Sequence, residues 1–150
     1  MTCIATDGRT MAADGRSCIE ALITSEDTVK LAKGTDGSVI GCAGDRGACT
    51  LVREWFEKGA DLARIPDIPR SADGDTPFDA LVLRPDGTVQ ALDSYFSFMP
   101  RPAPAAIGSG GQIALGAMLA GKNPKQAVKI AASRVTSVGG TIHELKPKAP

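Results

Sequence analysis

Short apolar runs separated by turns rich in Gly, Asp and Pro fill the first half of the chain, and they predict strands rather than helices. Cys3–Thr6 and Arg9–Ala13 flank Asp7-Gly8, a hairpin signal. Thr2 and Asp14 both lie six positions from Gly8, so the hairpin is expected to set them opposite each other. Ile19–Ser25 is apolar with mixed period and reads as loop and short strand. Thr28-Val29-Lys30-Leu31 reads as a strand with a lysine in an apolar setting. Beyond Asp36-Gly37, Ser38–Ala43 has the pattern of a buried strand. Runs that are apolar on both faces imply sheets covered on both sides.

Helical spacing first appears after the tight loop Gly44-Asp45-Arg46-Gly47. From Ala48 to Lys58 it places Leu51, Val52, Trp55 and Phe56 on one face, with Gly59 as C-cap. The segment 60–77, rich in Pro and Asp, reads as an irregular connection holding a short helix at most. Phe78–Leu83 and Val89–Leu92 around Pro85-Asp86-Gly87 form another hairpin. The proline-bearing stretch Tyr95–Pro104 reads as extended loop, and Ala105-Ala106-Ile107 as a strand running into Gly108-Ser109-Gly110-Gly111. Helices follow over about Gln112–Leu119 and, opened by Asn123-Pro124, to about Val135. Thr141–Leu145 is the last strand, and 146–150 a polar tail expected to fray. Helices in separate blocks around hairpin-built sheets fit an α/β (α+β) class, a four-layer α-β-β-α sandwich of two antiparallel sheets. The 150 residues are expected to form a single domain, 1–150.

Composition narrows the function. Only 4% of residues are aromatic, so Ala, Val, Ile and Leu must build the core. A formal charge of zero argues against nucleic acid or an anionic membrane as the main partner. No apolar run is long enough to span a bilayer, and no signal-peptide pattern opens the chain, so a cytoplasmic location is expected. Cys3, Cys18, Cys42 and Cys49 lack CxxC spacing and read as reduced thiols. The single histidine, His143, stands far from any cysteine pair and reads as a surface or packed residue; neither metal nor cofactor is expected.

Gly116-Ala117-Met118-Leu119-Ala120-Gly121-Lys122-Asn123 nearly spells a phosphate-binding loop, but Asn123 replaces its hydroxyl residue and the first half lies in a helical pattern. A helix end capped by Gly121 is the stronger reading. The Gly108–Gly111 turn either offers backbone donors to an anion or allows tight packing.

The N-terminus carries more chemistry. Removing Met1 would leave Thr2 with a hydroxyl and a free amine, a nucleophile that supplies its own base. Lys30, if close, would lower the pKa of that amine from about 8 and favour the Thr2 alkoxide. Asp14 would keep Lys30 charged and oriented, and a backbone N–H of the Gly44 loop would receive an oxyanion. The plainer alternatives are an edge hairpin for Thr2 and a snorkelling side chain for Lys30.

Together these positions resemble the proteasome β-subunit family, including bacterial ring peptidases that work with an unfolding ATPase. The matches are an N-terminal Thr (Thr2), an Asp followed closely by Arg (Asp14, Arg16), a short strand with Lys (Val29-Lys30-Leu31), the G-x-x-A-G-like Gly41-Cys42-Ala43-Gly44-Asp45, the helix after it, and Ser109 in a G-S-G turn. The resemblance implies a threonine peptidase acting on peptides or unfolded protein inside a homo-oligomeric ring. Its catalytic residues would be Thr2, Asp14, Lys30, Ser109 and Gly44, and Cys18, Cys42 and Arg46 would bind substrate. Three features depart from the family. The late motif R-D-x-x-S-G-G reads Arg134-Val135-Thr136-Ser137-Val138-Gly139-Gly140, with Val135 for Asp and Val138 for Ser. The 60–77 connection is too short for the second long helix, so one outer helix is expected to be missing. A single Met1 stands before Thr2, so exposure is expected to depend on methionine aminopeptidase. These departures define the alternative, a structural or assembly protein that keeps the fold without the reaction.

Overall fold

The computed structural model describes residues 2–70 and 77–149. In chain order its strands are β1 (Ile4–Thr6), β2 (Met11–Ala13), β3 (Ser17–Ile19), β4 (Leu22–Ser25), β5 (Leu31–Lys33), β6 (Val39–Gly44), β7 (Phe78–Leu83), β8 (Val89–Leu92), β9 (Phe98–Arg101), β10 (Ala105–Ile107) and β11 (His143–Leu145). The helices are α1 (Arg46–Glu57), α2 (Gly111–Leu119) and α3 (Pro124–Ala132). One antiparallel sheet has the order β10-β1-β2-β11, a second β5-β6-β7-β8-β9, and β3-β4 forms a separate ribbon.

Side-chain alternation in the strands builds the layers. In β6, Val39 and Ala43 join Ile4, Met11, Leu81 and Leu83 in the core between the two sheets. Their neighbours Ile40 and Cys42 point the other way, onto Val52, Trp55 and Phe56 of α1. On the far side of the first sheet, Cys3, Ala5 and Ala12 meet Ala114, Met118, Val128 and Ala131 of α2 and α3. The molecule is therefore the α-β-β-α sandwich expected, with the larger sheet covered on its outer face by one long helix among the described residues. Among its described residues the expected short connection holds one 3-10 turn, at Leu62–Arg64, capped by Asp61; its residues 71–76 lie outside the described residues.

Local chemistry explains the helix starts. Asp45 caps α1 by accepting the Ala48 N–H. Asn123 and Gln126 form a reciprocal capping box at α3, with Pro124 at its first turn. The near-phosphate-loop sequence is the end of α2 and its turn, and Asn123 is occupied as a cap.

Several expectations need correction. The first hairpin pairs Ile4 with Ala13 and Thr6 with Met11, so Asp14 falls opposite Cys3, not Thr2. The turn contains four residues with Asp7 accepting from Arg9 and Thr10, which moves its centre past Gly8. The stretch 19–25 is the loop and short strand expected, a turn at Glu20-Ala21 followed by β4, and the new feature is that β4 pairs with β3 as a ribbon. Lys30 precedes β5 instead of lying in it, because the pairing with β6 starts at Leu31. Leu51 is 38% exposed, since the buried stripe of α1 runs from Ala48 and Cys49 through Val52 to Trp55 and Phe56. The proline-bearing loop contains β9, whose Pro100 is tolerated because β9 is an edge strand. The tail is anchored at Lys148, whose N–H donates to Gly37 O (2.9 Å).

Candidate active site

Asp14 ends the β2 segment with its carboxylate fully buried. Its Oδ1 accepts from the Cys3 N–H (3.0 Å) and from Lys30 Nζ (2.8 Å). Its Oδ2 accepts from the Gly139 N–H (3.0 Å) and the Arg16 N–H (3.3 Å). A buried carboxylate with four donors is fully compensated. Lys30 is 5% exposed, and its ammonium also donates to Arg16 O (2.7 Å). An ammonium has three N–H groups, so the two acceptors named leave one for another partner.

Thr2 is also buried, at 5% exposure, and lines the same cavity as Lys30. The Gly108-Ser109-Gly110 turn holds its carbonyl. Gly110 N–H donates to Thr2 O (3.3 Å), as does the Ser109 hydroxyl at a long 3.4 Å. Gly108 has φ +90, and any Cβ there would collide with Thr2 O. Of the two readings of this turn, close packing explains the glycine. Ser109 Oγ is also 3.1 Å from Ser137 Oγ, which joins Ser137 to the Thr2 neighbourhood.

Gly44 closes β6 at φ +128, where a Cβ would stand 2.6 Å from Pro77 O. Cys42 N–H donates toward Lys30 O and Asp45 N–H toward Pro77 O. Amides alternate along a strand, so the Gly44 N–H, two residues from Cys42, is directed to the Lys30 side. The cavity there encloses about 590 Å³ and is lined by Thr2, Cys18, Lys30, Cys42, Gly44 and Arg46 among others. Six of the eight residues singled out from the sequence thus share one cavity. Asp14 stands behind Lys30, and Ser109 behind Thr2. A second concavity, about 860 Å³, shares Asp45, Arg46 and Thr50 with it but contains none of Thr2, Lys30 or Asp14. Volume alone would select the wrong cleft; the buried ion pair identifies the one with chemical potential.

The remaining groups are supporting. Arg16 donates to Glu26 Oε1 (3.0 Å) and Thr136 O (2.8 Å), fastening the 136–139 loop so that the Gly139 amide meets Asp14. Val138 is fully buried in the core under α2 and α3, and Val135 packs against that core. Burial, and then the Asp14 carboxylate, push the Cys3 thiol up to about 12 against the pull of Lys30, so Cys3 is inert. Burial also raises Cys42. The Cys42 thiol donates to Cys49, which with Arg53 holds Cys49 below its ordinary value despite burial. His143 pairs with Asp27 (3.0 Å), away from the cavity. Among the described residues no cluster of His, Cys, Asp or Glu is arranged to hold a metal ion, and no described helix is long and apolar enough to cross a membrane. Sequence reasoning missed Cys49, Arg53 and the Gly139 amide. Arg53 was signalled by its position seven residues after Arg46, on the same helix face.

No family model and no curated protein sequence matches the chain. Solved structures do. BPH of Thiobacillus denitrificans, a bacterial proteasome homologue, matches with TM-score 0.73 and 19% identity over 100% of both chains. The same protein in complex with epoxomicin gives TM-score 0.73 and 20% identity, again over 100% of both chains. Eukaryotic HslV from Trypanosoma brucei gives TM-score 0.62 and 20% identity over 97% of this chain and 98% of that one. At these identities the likeness is one of fold, which the chain shares along its whole length with these proteasome-like structures.

Proposed function

We propose that the chain is a threonine peptidase that uses Thr2 once Met1 has been removed. The observation that supports this most is the buried Asp14–Lys30 pair opening onto the cavity that Thr2 lines. An ion pair this deep is costly to maintain for stability alone; beside a hydroxyl nucleophile it has a use.

In this reading the Thr2 amine takes the Thr2 Oγ proton as Oγ bonds to the substrate carbonyl carbon. The Lys30 charge favours the alkoxide and keeps the amine largely neutral. Asp14 holds Lys30 charged and aimed. The oxyanion of the tetrahedral species accepts the Gly44 N–H. Collapse breaks the C–N bond, and the Thr2 ammonium returns its proton to the leaving amine. Water then hydrolyses the ester, with the Thr2 amine as base. Ser109, coupled to Ser137, positions the Thr2 main chain. Cys18, Cys42 and Arg46 line the substrate side.

The same reading carries a homo-oligomeric ring, a cytoplasmic setting, peptide or unfolded protein as substrate, and an unfolding ATPase as partner. Its test is direct. Intact mass of the protein from its natural host is expected to lack Met1, and epoxomicin, which the Thiobacillus protein binds, or a peptide boronate is expected to modify Thr2 but not a Thr2→Ala variant. Retained Met1 would leave an amide at Thr2 that cannot act as base, and would refute the reading. The competing reading, an inactive assembly protein, rests on Val135 and Val138; an unmodified Thr2 with Met1 removed would favour it.

A further inference from the structure

The helix bordering the cavity carries a stripe of which the reading above uses only Arg46. Arg46, Cys49, Thr50 and Arg53 recur at i, i+3, i+4 and i+7 along α1, so they share one face, and all four line the cavity. The charges on the cavity wall are Arg16, Lys30, Arg46 and Arg53 against the single carboxylate of Asp45. Arg16 is paired with Glu26 and Lys30 with Asp14. No carboxylate among the described residues lies within ion-pair reach of Arg46 or Arg53. Asp45 is engaged as the α1 cap, its Oδ1 accepting the Ala48 N–H at 2.8 Å. The cavity therefore keeps an excess positive charge after its internal pairs are counted.

Arg53 is the deeper of these two arginines, neither of which is paired with a carboxylate among the described residues. It is half-buried, whereas Arg46 is exposed at the mouth. Its guanidinium lies close enough to the two buried thiols of the cavity, Cys42 and Cys49, to favour their charged forms. A half-buried guanidinium is partly desolvated, and no described carboxylate offsets that cost here. Its planar fork matches a carboxylate in two-point contact.

We infer that the cavity beside Thr2 takes the acidic side chain of a peptide, Asp or Glu, with Arg53 as the residue that reads it and Arg46 as a second cation at the entrance. Resting on the peptidase reading, this makes the acidic residue the one on the acyl side of the bond cleaved. An apolar side chain would leave the guanidinium without a partner, and a basic one would be repelled.

Two measurements on the assembled protein separate this inference from the peptidase reading. Fluorogenic peptides that differ only in the residue before the scissile bond test turnover. Glu is expected to exceed Leu by roughly ten- to a hundredfold in kcat/KM, the scale of hydrogen bonds to a charged group, and to exceed Lys by more. Arg53→Met is expected to remove most of the Glu advantage, and Arg53→Glu to shift preference toward Lys. Binding of peptides ending in Glu, Leu or Lys to the Thr2→Ala variant, which cannot react, tests the cavity alone. The same order is expected there, and its loss in Thr2→Ala/Arg53→Met. Thermal melts identify any variant that fails to fold, and Arg53→Lys, which keeps the charge without the fork, is then expected to lie between wild type and Met. Turnover of no peptide together with Glu-selective binding would sink the peptidase and leave the acid site standing. Equal or better binding of the Leu peptide, or a preference unchanged in Arg53→Met, would overturn the inference even in an active enzyme.

Discussion

Replacing Lys30 and Asp14 singly and together measures the one interaction on which the site is built. Lys30 and Asp14 are 5% and 0% exposed, and the Nζ–Oδ1 distance is 2.8 Å. Removing one partner of a buried pair costs about 3–5 kcal/mol, because the other charge is left uncompensated. The two ends should not be equal. In Lys30→Met the Asp14 carboxylate still accepts from Cys3, Arg16 and Gly139, so a cost near the lower end, about 3 kcal/mol, is expected. Asp14→Ala leaves the ammonium with Arg16 O as its one named acceptor and orphans the Cys3 and Gly139 amides. Its cost should reach about 5 kcal/mol. The double variant has neither charge, so it should be less damaged than the sum of the singles by about 2 kcal/mol. For a domain of this size these losses correspond to melting shifts of roughly 6–20 °C. Denaturant titration at one fixed protein concentration supplies the numbers, since assembly would make them concentration-dependent. A Lys30→Met loss under about 1 kcal/mol, the range of exposed pairs, or strict additivity of the two changes, would refute the buried-pair reasoning.

The other predictions address single groups. Gly44→Ala forces a Cβ within 2.6 Å of Pro77 O at φ +128; it should cost about 1–3 kcal/mol and lower kcat by up to about a hundredfold with little change in KM, checked by melts and steady-state kinetics. Ser109→Ala removes the hydroxyl linking Thr2 O to Ser137 and should lower kcat/KM about fivefold, the scale of one hydrogen bond, with Ser137→Ala smaller in effect. Cys3 has its thiol pKa raised from 9.0 to about 12 on folding. The folded state therefore keeps a proton that the unfolded state loses, so stability should fall as pH rises from about 9 toward 12, by at most about 1.4 kcal/mol per pH unit from this group. Urea melts at pH 8 and 10.5 should show the drop, and Cys3→Ala should reduce its slope.

What could be read from the sequence was mostly local. The Asp7-Gly8 turn, the two-sided apolar pattern of Val39–Ala43 and the Asn123-Pro124 start each have a near-neighbour cause. Asp14, Lys30 and Thr2 were legible as a set because a hydroxyl nucleophile, a cation and an anion make chemical sense only together. The structure gathers them in one place, with Asp14 one residue out of the expected register. Features caused by topology were hidden. Pro100 lies in a strand because β9 falls at a sheet edge, and sheet order is not visible in a proline count. The Gly139 amide reaches Asp14 across 125 residues, and no short-range pattern announces such a donor. Arg53 was hidden for a subtler reason. The apolar periodicity of α1 marks only its buried face, whereas the cavity lies along its polar flank.

The two valines in the late loop bear on whether such a site can work without the expected Asp and Ser. Val138 points into the core beneath α2 and α3, with no exposure. Its place in the loop still serves the site through the main chain: Val138 O is 3.5 Å from Arg16 Nη1, and the next amide donates to Asp14. The hydroxyl near Thr2 comes instead from Ser137, one residue earlier, through Ser109. The substitution thus exchanges a polar side chain at 138 for buried apolar area, while the neighbouring serine faces Ser109. Nothing comparable stands in for an aspartate at Val135, which packs against the same core. Any loss of rate relative to a site with that aspartate should therefore trace to position 135, while the ion pair behind Thr2 retains all four of its donors to Asp14.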